Sequence, residues 1–459
     1  MVSAAEPAPV RLDSIAENIR LTAGRSSGFD YLRLVLSISV VLLHSFPFSS
    51  GDAGSLDFIV PSLRPLCHLI LPMFFGLSGF LVAGSLERSR TLISFFGLRV
   101  LRIVPALSIE ITLSALILGP LFTNFTLHDY VADPQFRTYF LNIVGDIHFT
   151  LPGLFLHNPM PATVNWQLWT IPSELQCYAI LGALAATGMM PRRILLLVVV
   201  IAGQAIWIWA GLHRPTTMLA FHNVASLSVL CLCFLTGVTF YVWRDRVPLR
   251  LSLFLAAVAV GIVLGFVPWG QLYLPLPAVY ITLYLGFLDP PKLWIVRSGD
   301  YSYGIYLYGA PIQQVVAMVP ELRKWYWNLM IALPAVIALA YLSWHHVEKP
   351  VTKWRSVLPK IEAWLSARFL GGADAIGNIV VEHGTRPSLR WALYLLLGIM
   401  PVALVLDAHG RAGNLLALVA FAVAAFDLAY GATIGGRGVR RSAREAEAGI
   451  EAVKGQATL

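Results

Sequence analysis

The chain has 459 residues, of which 57% are apolar and 13% are charged, whereas an ordinary soluble domain is about half apolar and about one-quarter charged. This balance excludes a soluble enzyme, a disordered protein and a nucleic-acid binder, and it predicts an all-α polytopic membrane protein. The net charge of +8 comes mostly from short gaps between apolar runs, which is the positive-inside pattern of membrane proteins.

Residues 1–28 are predicted to form a cytoplasmic N-terminal arm, because they contain no apolar stretch of signal-peptide length. Val10 to Arg25 could form a weakly amphipathic surface helix, with Val10, Ile15 and Ile19 leaning to one side. We prefer the simpler interpretation of a mobile arm.

Membrane-spanning helices need about 20 mostly apolar residues each. Ten windows of this kind lie at 31–48, 66–86, 101–120, 167–188, 194–212, 224–243, 250–268, 271–288, 303–320 and 327–345. A polar connecting segment, 356–389, separates them from two further windows at 390–407 and 412–431, and a basic tail, 432–459, follows. We therefore expect a ten-helix membrane domain over 29–355 plus two additional C-terminal transmembrane helices.

The basic residues of the short gaps predict the orientation. Every even-numbered gap is basic, whereas the odd-numbered gaps are poorer in arginine and lysine, so both termini are expected in the cytoplasm. The longest outer gap, 121–166, is aromatic and too apolar for a plain linker. Long loops of this kind are commonly functional, and we expect a re-entrant or lid-like structure there.

Polar side chains inside apolar spans are costly unless they face a cavity or a partner. His44 ends the first span, and Arg33 lies eleven residues earlier on the same side of the helix. Glu174 lies in the fourth span, at a depth similar to that of His44 by the rise of about 1.5 Å per residue. These two side chains could meet in one cavity, with Arg33, Arg99 and Arg102 at its cytoplasmic mouth.

This set of residues suggests acid–base chemistry, since an imidazole can take a proton from a hydroxyl and a carboxylate can orient the ring. Paired arginines suit the phosphates of a nucleotide-bearing donor. Most of these residues alone have a plainer explanation: an interfacial histidine, positive-inside or snorkelling arginines, small-residue packing at Ser78, and a structural role for Glu110. Glu174 is the hardest to explain in this way, because it lies well inside its span. The four cysteines have no metal-ligand spacing, and no metal site is predicted.

Six motifs in order resemble the bacterial integral-membrane acyltransferase 3 family over residues 29–355. They are F-D-Y-L-R to His44, F-F-G-L-S-G-F at Phe74 to Phe80, R-V-L-R-I-V-P at Arg99 to Pro105, N-W-Q-L-W-T-I-P-S-E-L-Q-C-Y at Asn165 to Tyr178, S-Y-G-I-Y-L-Y-G-A-P-I at Ser302 to Ile312, and V-E-K-P at Val347 to Pro350.

The resemblance implies a bacterial inner-membrane enzyme with ten core spans. It would transfer an acyl group, acetyl by default, from cytoplasmic acyl-CoA to a sugar hydroxyl on a lipid-linked or surface glycan. It would hold no permanent cofactor, and polysaccharide-assembly proteins are candidate partners. By motif position, His44 and Glu174 carry over as catalytic residues, whereas Arg33, Arg99 and Arg102 carry over as donor-binding residues. Ser78, Trp169, Ser173 and Tyr303 become candidate pocket residues.

Two departures from the family pattern stand out. Gly309 replaces a histidine of the late motif, and residues 356–459 contain no nucleophile-elbow motif of an added esterase-like domain. The sequence does not decide between direct acyl transfer and an acyl-histidine relay. A transporter or flippase of a lipid-linked saccharide is the alternative class, although it would favour repeat symmetry that we do not find. A non-catalytic scaffold protein is a third class, but it does not explain why His44 and Glu174 lie at similar depth in their spans.

Overall fold

The computed structural model describes residues 14–89, 91–213, 227–267, 269–361 and 364. All regular secondary structure in these ranges is helical, and they contain no strand. The two predicted C-terminal spans, the basic tail and most of the connecting segment lie outside the described residues.

The described part of the chain contains fourteen α-helices of five or more residues. They are α1 (Ile15–Leu21), α2 (Ser27–Ser62), α3 (Arg64–Arg88), α4 (Leu92–Phe122, including a π turn), α5 (Leu127–Ala132), α6 (Pro134–Thr138), α7 (Thr170–Ala186), α8 (Arg193–His213), α9 (Leu227–Val242), α10 (Leu251–Phe266), α11 (Pro275–Phe287), α12 (Trp294–Ser298), α13 (Ser302–Ala317) and α14 (Trp325–Ser343).

Five helical stretches are long and apolar enough to cross a membrane: Ser27–Gly51, Arg64–Arg88, Leu92–Phe122, Arg193–His213 and Trp325–Ile361. Three shorter apolar helices, α9, α10 and α11, lie between the fourth and fifth of these. The prediction of an all-α membrane protein is therefore confirmed. A helix lies in each of the ten predicted core windows, whereas the count of ten plus two spans stays a prediction.

Small residues allow α3 and α9 to pack closely. A Cβ added at Gly79 would collide with the Phe234 carbonyl oxygen, and one added at Gly237 would collide with the Gly76 carbonyl oxygen. Lipid tails are as apolar as the helix surfaces, so the hydrophobic effect does not drive helices together inside the bilayer. Close van der Waals packing of this kind drives their association instead. The F-F-G-L-S-G-F motif thus packs α3 onto α9 through its glycines.

The segment 121–166 is folded against the end of α4. A π turn, Ser114–Leu118, interrupts α4 and changes its hydrogen-bond pattern there. The Tyr130 hydroxyl donates to the Ala115 carbonyl oxygen at 2.7 Å, and the side chains of Tyr130 and Tyr139 are fully buried. The segment is therefore a packed structure and not a plain linker, while a lid function stays a prediction.

Candidate active site

A cavity of about 760 Å³ lies between α2, α3, α4, α7 and α13. Six residues predicted from the sequence line it: Arg33, Ser78, Arg99, Arg102, Glu174 and Tyr303. The three arginines come from helix ends that the positive-inside pattern assigns to the cytoplasm. The polar residues of five separate motifs therefore meet in one space at that end of the bundle.

Asp300 joins two of the predicted arginines. Its Oδ2 accepts hydrogen bonds from Arg102 Nη2 at 2.9 Å and from Arg33 Nη1 at 3.1 Å, and Arg102 Nη1 donates to Glu348 Oε2 at 3.3 Å. Burial alone would raise the pKa of the Asp300 carboxyl, but the guanidinium groups of Arg102 and Arg33 outweigh it and hold this pKa well below its usual range. Both arginines are thus already paired with carboxylates.

Arg99 has a different environment. Its Nη2 donates to Ser85 Oγ at 2.9 Å, and its guanidinium carbon lies 5.8 Å from the ring centroids of Phe95 and Tyr178. Its Nε is buried and has no hydrogen-bond partner in the described part of the chain. Arg99 therefore keeps donors that a ligand could use.

The cavity wall carries a surplus of positive charge, with seven basic and four acidic side chains. Arg33, Arg102 and Lys292 make ion pairs. Among the described residues, no carboxylate lies within salt-bridge distance of four others: Arg25, Arg88, Arg99 and Arg355. Such a wall suits a ligand with several phosphate charges.

Glu174 belongs to a polar stripe along α7. Thr170, Glu174 and Tyr178 are four residues apart, so they share one helix face, and all three line the cavity. The Tyr178 hydroxyl donates a hydrogen bond to Glu174 Oε1. Trp169 and Ser173 were also predicted as pocket residues, but neither lines this cavity. Ser173 is buried and Trp169 packs against the hydrophobic core, because both lie off the stripe.

His44 lies outside this cavity. Its ring stacks on Trp166, with centroids 5.7 Å apart and planes at 25°, and it meets Phe48 edge to face at 6.0 Å. Neither ring nitrogen is hydrogen-bonded to another described residue. The structure thus does not bring His44 and Glu174 into a shared space, because similar depth along two helix axes does not fix the direction in which each side chain points.

A short 3₁₀ turn, Trp166–Trp169, connects the His44 side of the molecule to the cavity. The Tyr306 hydroxyl, which lines the cavity, is hydrogen-bonded to the Gln167 carbonyl oxygen and to the Thr170 hydroxyl. Gln167 Nε2 donates to the Leu307 carbonyl oxygen at 2.7 Å. These bonds tie α13 to the start of α7 at the part of the cavity wall that Thr170 and Tyr306 form.

Sequence comparison agrees with this geometry. A family model of acyltransferase 3, described as an acyltransferase domain, matches residues 26–345, which is more than half of the chain. The chain belongs to the acyltransferase 3 family. The protein is therefore an enzyme that transfers acyl groups.

Two relatives extend this comparison. The chain is 26% identical over 341 residues to the O-acetyl transferase of Shigella phage Sf6, covering 71% of this chain and 96% of that protein. It is also 26% identical over 370 residues to Nodulation protein 10 of Rhizobium leguminosarum bv. viciae, covering 73% of this chain and 96% of that protein. No solved structure gives a significant match.

A buried polar network supports Trp166 in this acyltransferase. Asn165 is fully buried, and its Nδ2 donates to Glu110 Oε2 at 3.1 Å and to the Tyr139 hydroxyl. The second oxygen of Glu110 accepts from Ser114 Oγ at 2.7 Å. Glu110 does not line the cavity, which agrees with the structural role expected from the sequence. The network fixes the backbone beside the aromatic ring on which His44 stacks.

Among the cavity residues of the acyltransferase that the sequence did not reveal are Asp300, Glu348 and Tyr306. Asp300 lies in a gap between spans, where hydropathy gives no reason to single out an acid. Glu348 and Tyr306 stand inside motifs that carry the family resemblance, V-E-K-P and S-Y-G-I-Y, so the motifs themselves were the available signal. The sequence did not show that Glu348 forms an ion pair with Arg102.

Proposed function

We propose that the protein is an O-acyltransferase that moves an acyl group, by default acetyl, from cytoplasmic acyl-CoA to a hydroxyl of a lipid-linked or extracytoplasmic glycan. The observation that carries this proposal is the cavity wall with four arginines that lack carboxylate partners among the described residues. CoA carries several phosphate charges, and arginine binds phosphate through paired, charge-assisted hydrogen bonds. A relative named O-acetyl transferase supports an oxygen acceptor and an acetyl group.

The donor phosphates are proposed to bind at Arg99 and at the exposed arginines around it. Arg33 and Arg102, expected from the sequence as direct donor ligands, are held by Asp300 and Glu348. Their proposed contribution is to fix the shape of the basic wall, since their charges are largely compensated. This places Arg99 at the centre of donor recognition.

The pantetheine arm is then proposed to run along the polar stripe of α7 towards Tyr306. Tyr306 is hydrogen-bonded to Gln167 and Thr170, and it lines the cavity, whereas His44 does not. In the proposed path, the thioester reaches His44 after this contact opens. Glu174 lies along the same path, where it can orient the thioester or the incoming hydroxyl once the two sides are connected.

His44 is the proposed catalytic base. Its imidazole takes the proton of the acceptor hydroxyl as the hydroxyl oxygen attacks the thioester carbonyl carbon. The carbon–sulfur bond then breaks, the new ester remains on the sugar, and the imidazolium returns the proton to the CoA thiolate. An acyl-histidine relay would use the same ring as nucleophile. Stacking on Trp166 holds the plane of the ring in either route.

The proposed placement is the bacterial inner membrane, with ten core spans, two further C-terminal spans and both termini in the cytoplasm. The basic even-numbered gaps of the sequence support this orientation. In this arrangement the donor enters at the cytoplasmic face, and the acceptor reaches His44 from the opposite side. Proteins of polysaccharide assembly are the proposed partners, and no bound cofactor is required.

Purified protein with labelled acetyl-CoA and a glycan acceptor tests the function. His44→Ala should lower acyl transfer at least about 100-fold, the usual contribution of a general base. His128→Ala is the matched control, because the side chain of His128 is 91% exposed and lies outside the cavity, and it should keep wild-type activity.

Two results would contradict the proposal. Wild-type product from His44→Ala would reject the role of His44. Movement of a lipid-linked saccharide across the membrane without consumption of acetyl-CoA would instead identify a flippase.

A further inference from the structure

The described part of the N-terminal arm, residues 14–28, was expected from the sequence to be mobile, but it is docked onto the loop that follows α9. The backbone N–H groups of Ile15 and Ala16 donate to the carbonyl oxygens of Val247 and Arg244, at 3.1 Å and 2.8 Å. The side chains of Ile15 and Asn18 are 0% and 1% exposed. A short helix of this length does not persist alone in water, so these tertiary contacts are what hold α1 in place.

The chain after α1 turns sharply and is fixed again immediately. Ala23 and Gly24 have positive φ values of 48° and 68°, which reverse the chain direction. Ser26 Oγ then donates to the Leu288 carbonyl oxygen at 3.1 Å, and the Ser27 N–H donates to Asp289 Oδ1 at 2.7 Å. Arg25 is therefore held between an anchored helix and an anchored start of α2.

Arg25 lies at the mouth of the basic cavity. Its side chain is exposed and lines the cavity, and no carboxylate among the described residues is within salt-bridge distance of it. A positive-inside anchor needs only a flexible arginine near the lipid headgroups. Here the docked helix α1 before Arg25 and the hydrogen bonds of Ser26 and Ser27 after it fix the position of the backbone that carries this charge.

We propose that the docked arm holds Arg25 as a ligand for the outermost phosphate of the donor, the 3′-phosphate of CoA. This inference rests on the proposed function. With the thioester directed towards Tyr306, the 3′-phosphate lies at the opposite end of the donor and comes closest to the exposed rim. Arg25 thus distinguishes CoA from thiol carriers that lack this phosphate.

Equilibrium binding of CoA and of 3′-dephospho-CoA to the full chain in lipid nanodiscs tests the inference. The wild type should bind CoA about tenfold more tightly than 3′-dephospho-CoA, the factor that about 1.4 kcal/mol supplies. Arg25→Ala should bind CoA about tenfold more weakly than the wild type and should lose the preference, with binding of 3′-dephospho-CoA unchanged. Arg20→Ala is the matched control, since Arg20 is exposed on α1 but does not line the cavity.

A second variant separates position from charge. Ile15→Asp places a carboxylate in the buried contact of α1, so it should undock the arm and weaken the preference although Arg25 is still present.

Retention of the full preference in Arg25→Ala would overturn the inference, and so would an equal loss in Arg20→Ala. A wild type that binds both ligands equally well would overturn the inference and leave the proposed function standing. A wild type that binds neither ligand would overturn both.

Discussion

Arg33 and Arg102, two arginines expected from the sequence to bind phosphate, share the carboxylate of Asp300 at 3.1 Å and 2.9 Å. The Asp300 side chain is only 25% exposed, so solvent screens these ion pairs less than it screens pairs on the surface. Removal of the shared anion would leave Arg102 with only Glu348, and Arg33 with only Asp30 at 3.8 Å, as carboxylate partners among the described residues. Asp300 is therefore a stabilising residue of the cavity wall.

Asp300→Asn should lower the free energy of unfolding by about 2 kcal/mol at neutral pH, the scale of hydrogen bonds to charged groups. The effect should depend on pH with a definite sign. Because the pKa of Asp300 is lower in the folded protein than in the unfolded chain, the ion pairs stabilise the fold above about pH 4. Their contribution is lost as the pH falls towards the folded-state pKa.

Thermal unfolding of the two proteins at a series of pH values measures this effect. The gap in melting temperature between wild type and Asp300→Asn should narrow as the pH is lowered below about 4. Asp245→Asn is the control, because Asp245 pairs with Arg193 on an exposed surface, and pairs of that kind contribute little. A gap that stays constant through the acidic range would show that the Asp300 charge does not stabilise the fold.

At the scale of elements, the turn Trp166–Trp169 matters because it touches both sides of the proposed reaction path. Trp166 stacks on His44, and the Gln167 carbonyl oxygen accepts a hydrogen bond from Tyr306 at the end of the cavity. Asn165, Glu110 and Tyr139 hold the backbone at the start of this turn. A change in the network should thus disturb the reacting groups without touching the donor phosphates.

Asn165→Ala should lower kcat by about 10- to 100-fold, since small displacements of reacting groups cost rate on this scale. The KM for acetyl-CoA should stay within about twofold of the wild-type value, because Asn165 does not line the cavity; a factor of two corresponds to about 0.4 kcal/mol. Steady-state kinetics with acetyl-CoA as the varied substrate measures both constants. Thr163→Ala should change neither, because the half-buried Thr163 uses its side-chain hydroxyl only for a hydrogen bond to the nearby Pro161 carbonyl oxygen, and its backbone oxygen, which accepts from Gln314 Nε2, stays in place. An increase in KM with kcat unchanged would place the network in donor binding instead.

Sequence reasoning placed six residues in the cavity on two grounds. Arg33, Arg99, Arg102 and Glu174 were placed together because ionisable side chains inside spans avoid lipid, whereas Ser78 and Tyr303 became candidates through the family resemblance. The same reasoning did not predict that Glu174 lines the cavity while His44 lies outside it. Residue counting along a span gives depth, whereas the rotation of each helix depends on packing such as that of Gly79 against Phe234. Asp300 was missed because it acts from a gap between spans.

At the scale of the whole molecule, the charges of the cavity and the position of His44 define two different sides. The four arginines that have no carboxylate partner among the described residues lie at the end that the sequence predicts to be cytoplasmic. His44 contacts Trp166, the last residue of the segment 121–166 that the sequence assigns to the outer face. The hydrogen-bonded Tyr306 contact lies between the two sides. A protein built in this way should accept donor and acceptor from opposite faces of the membrane.

Sealed membrane vesicles of defined orientation test this sidedness. Inside-out vesicles, which expose the cytoplasmic face, should release free CoA from added acetyl-CoA when the acceptor is trapped inside. Right-side-out vesicles should not do so until detergent or a pore opens them, because acetyl-CoA is charged and does not cross a bilayer. Vesicles that carry His44→Ala control for background hydrolysis. Equal release from both intact orientations would mean that the basic cavity opens to the outer face or that the two sides are not separated, and the assignment of the donor to the cytoplasm would then be wrong.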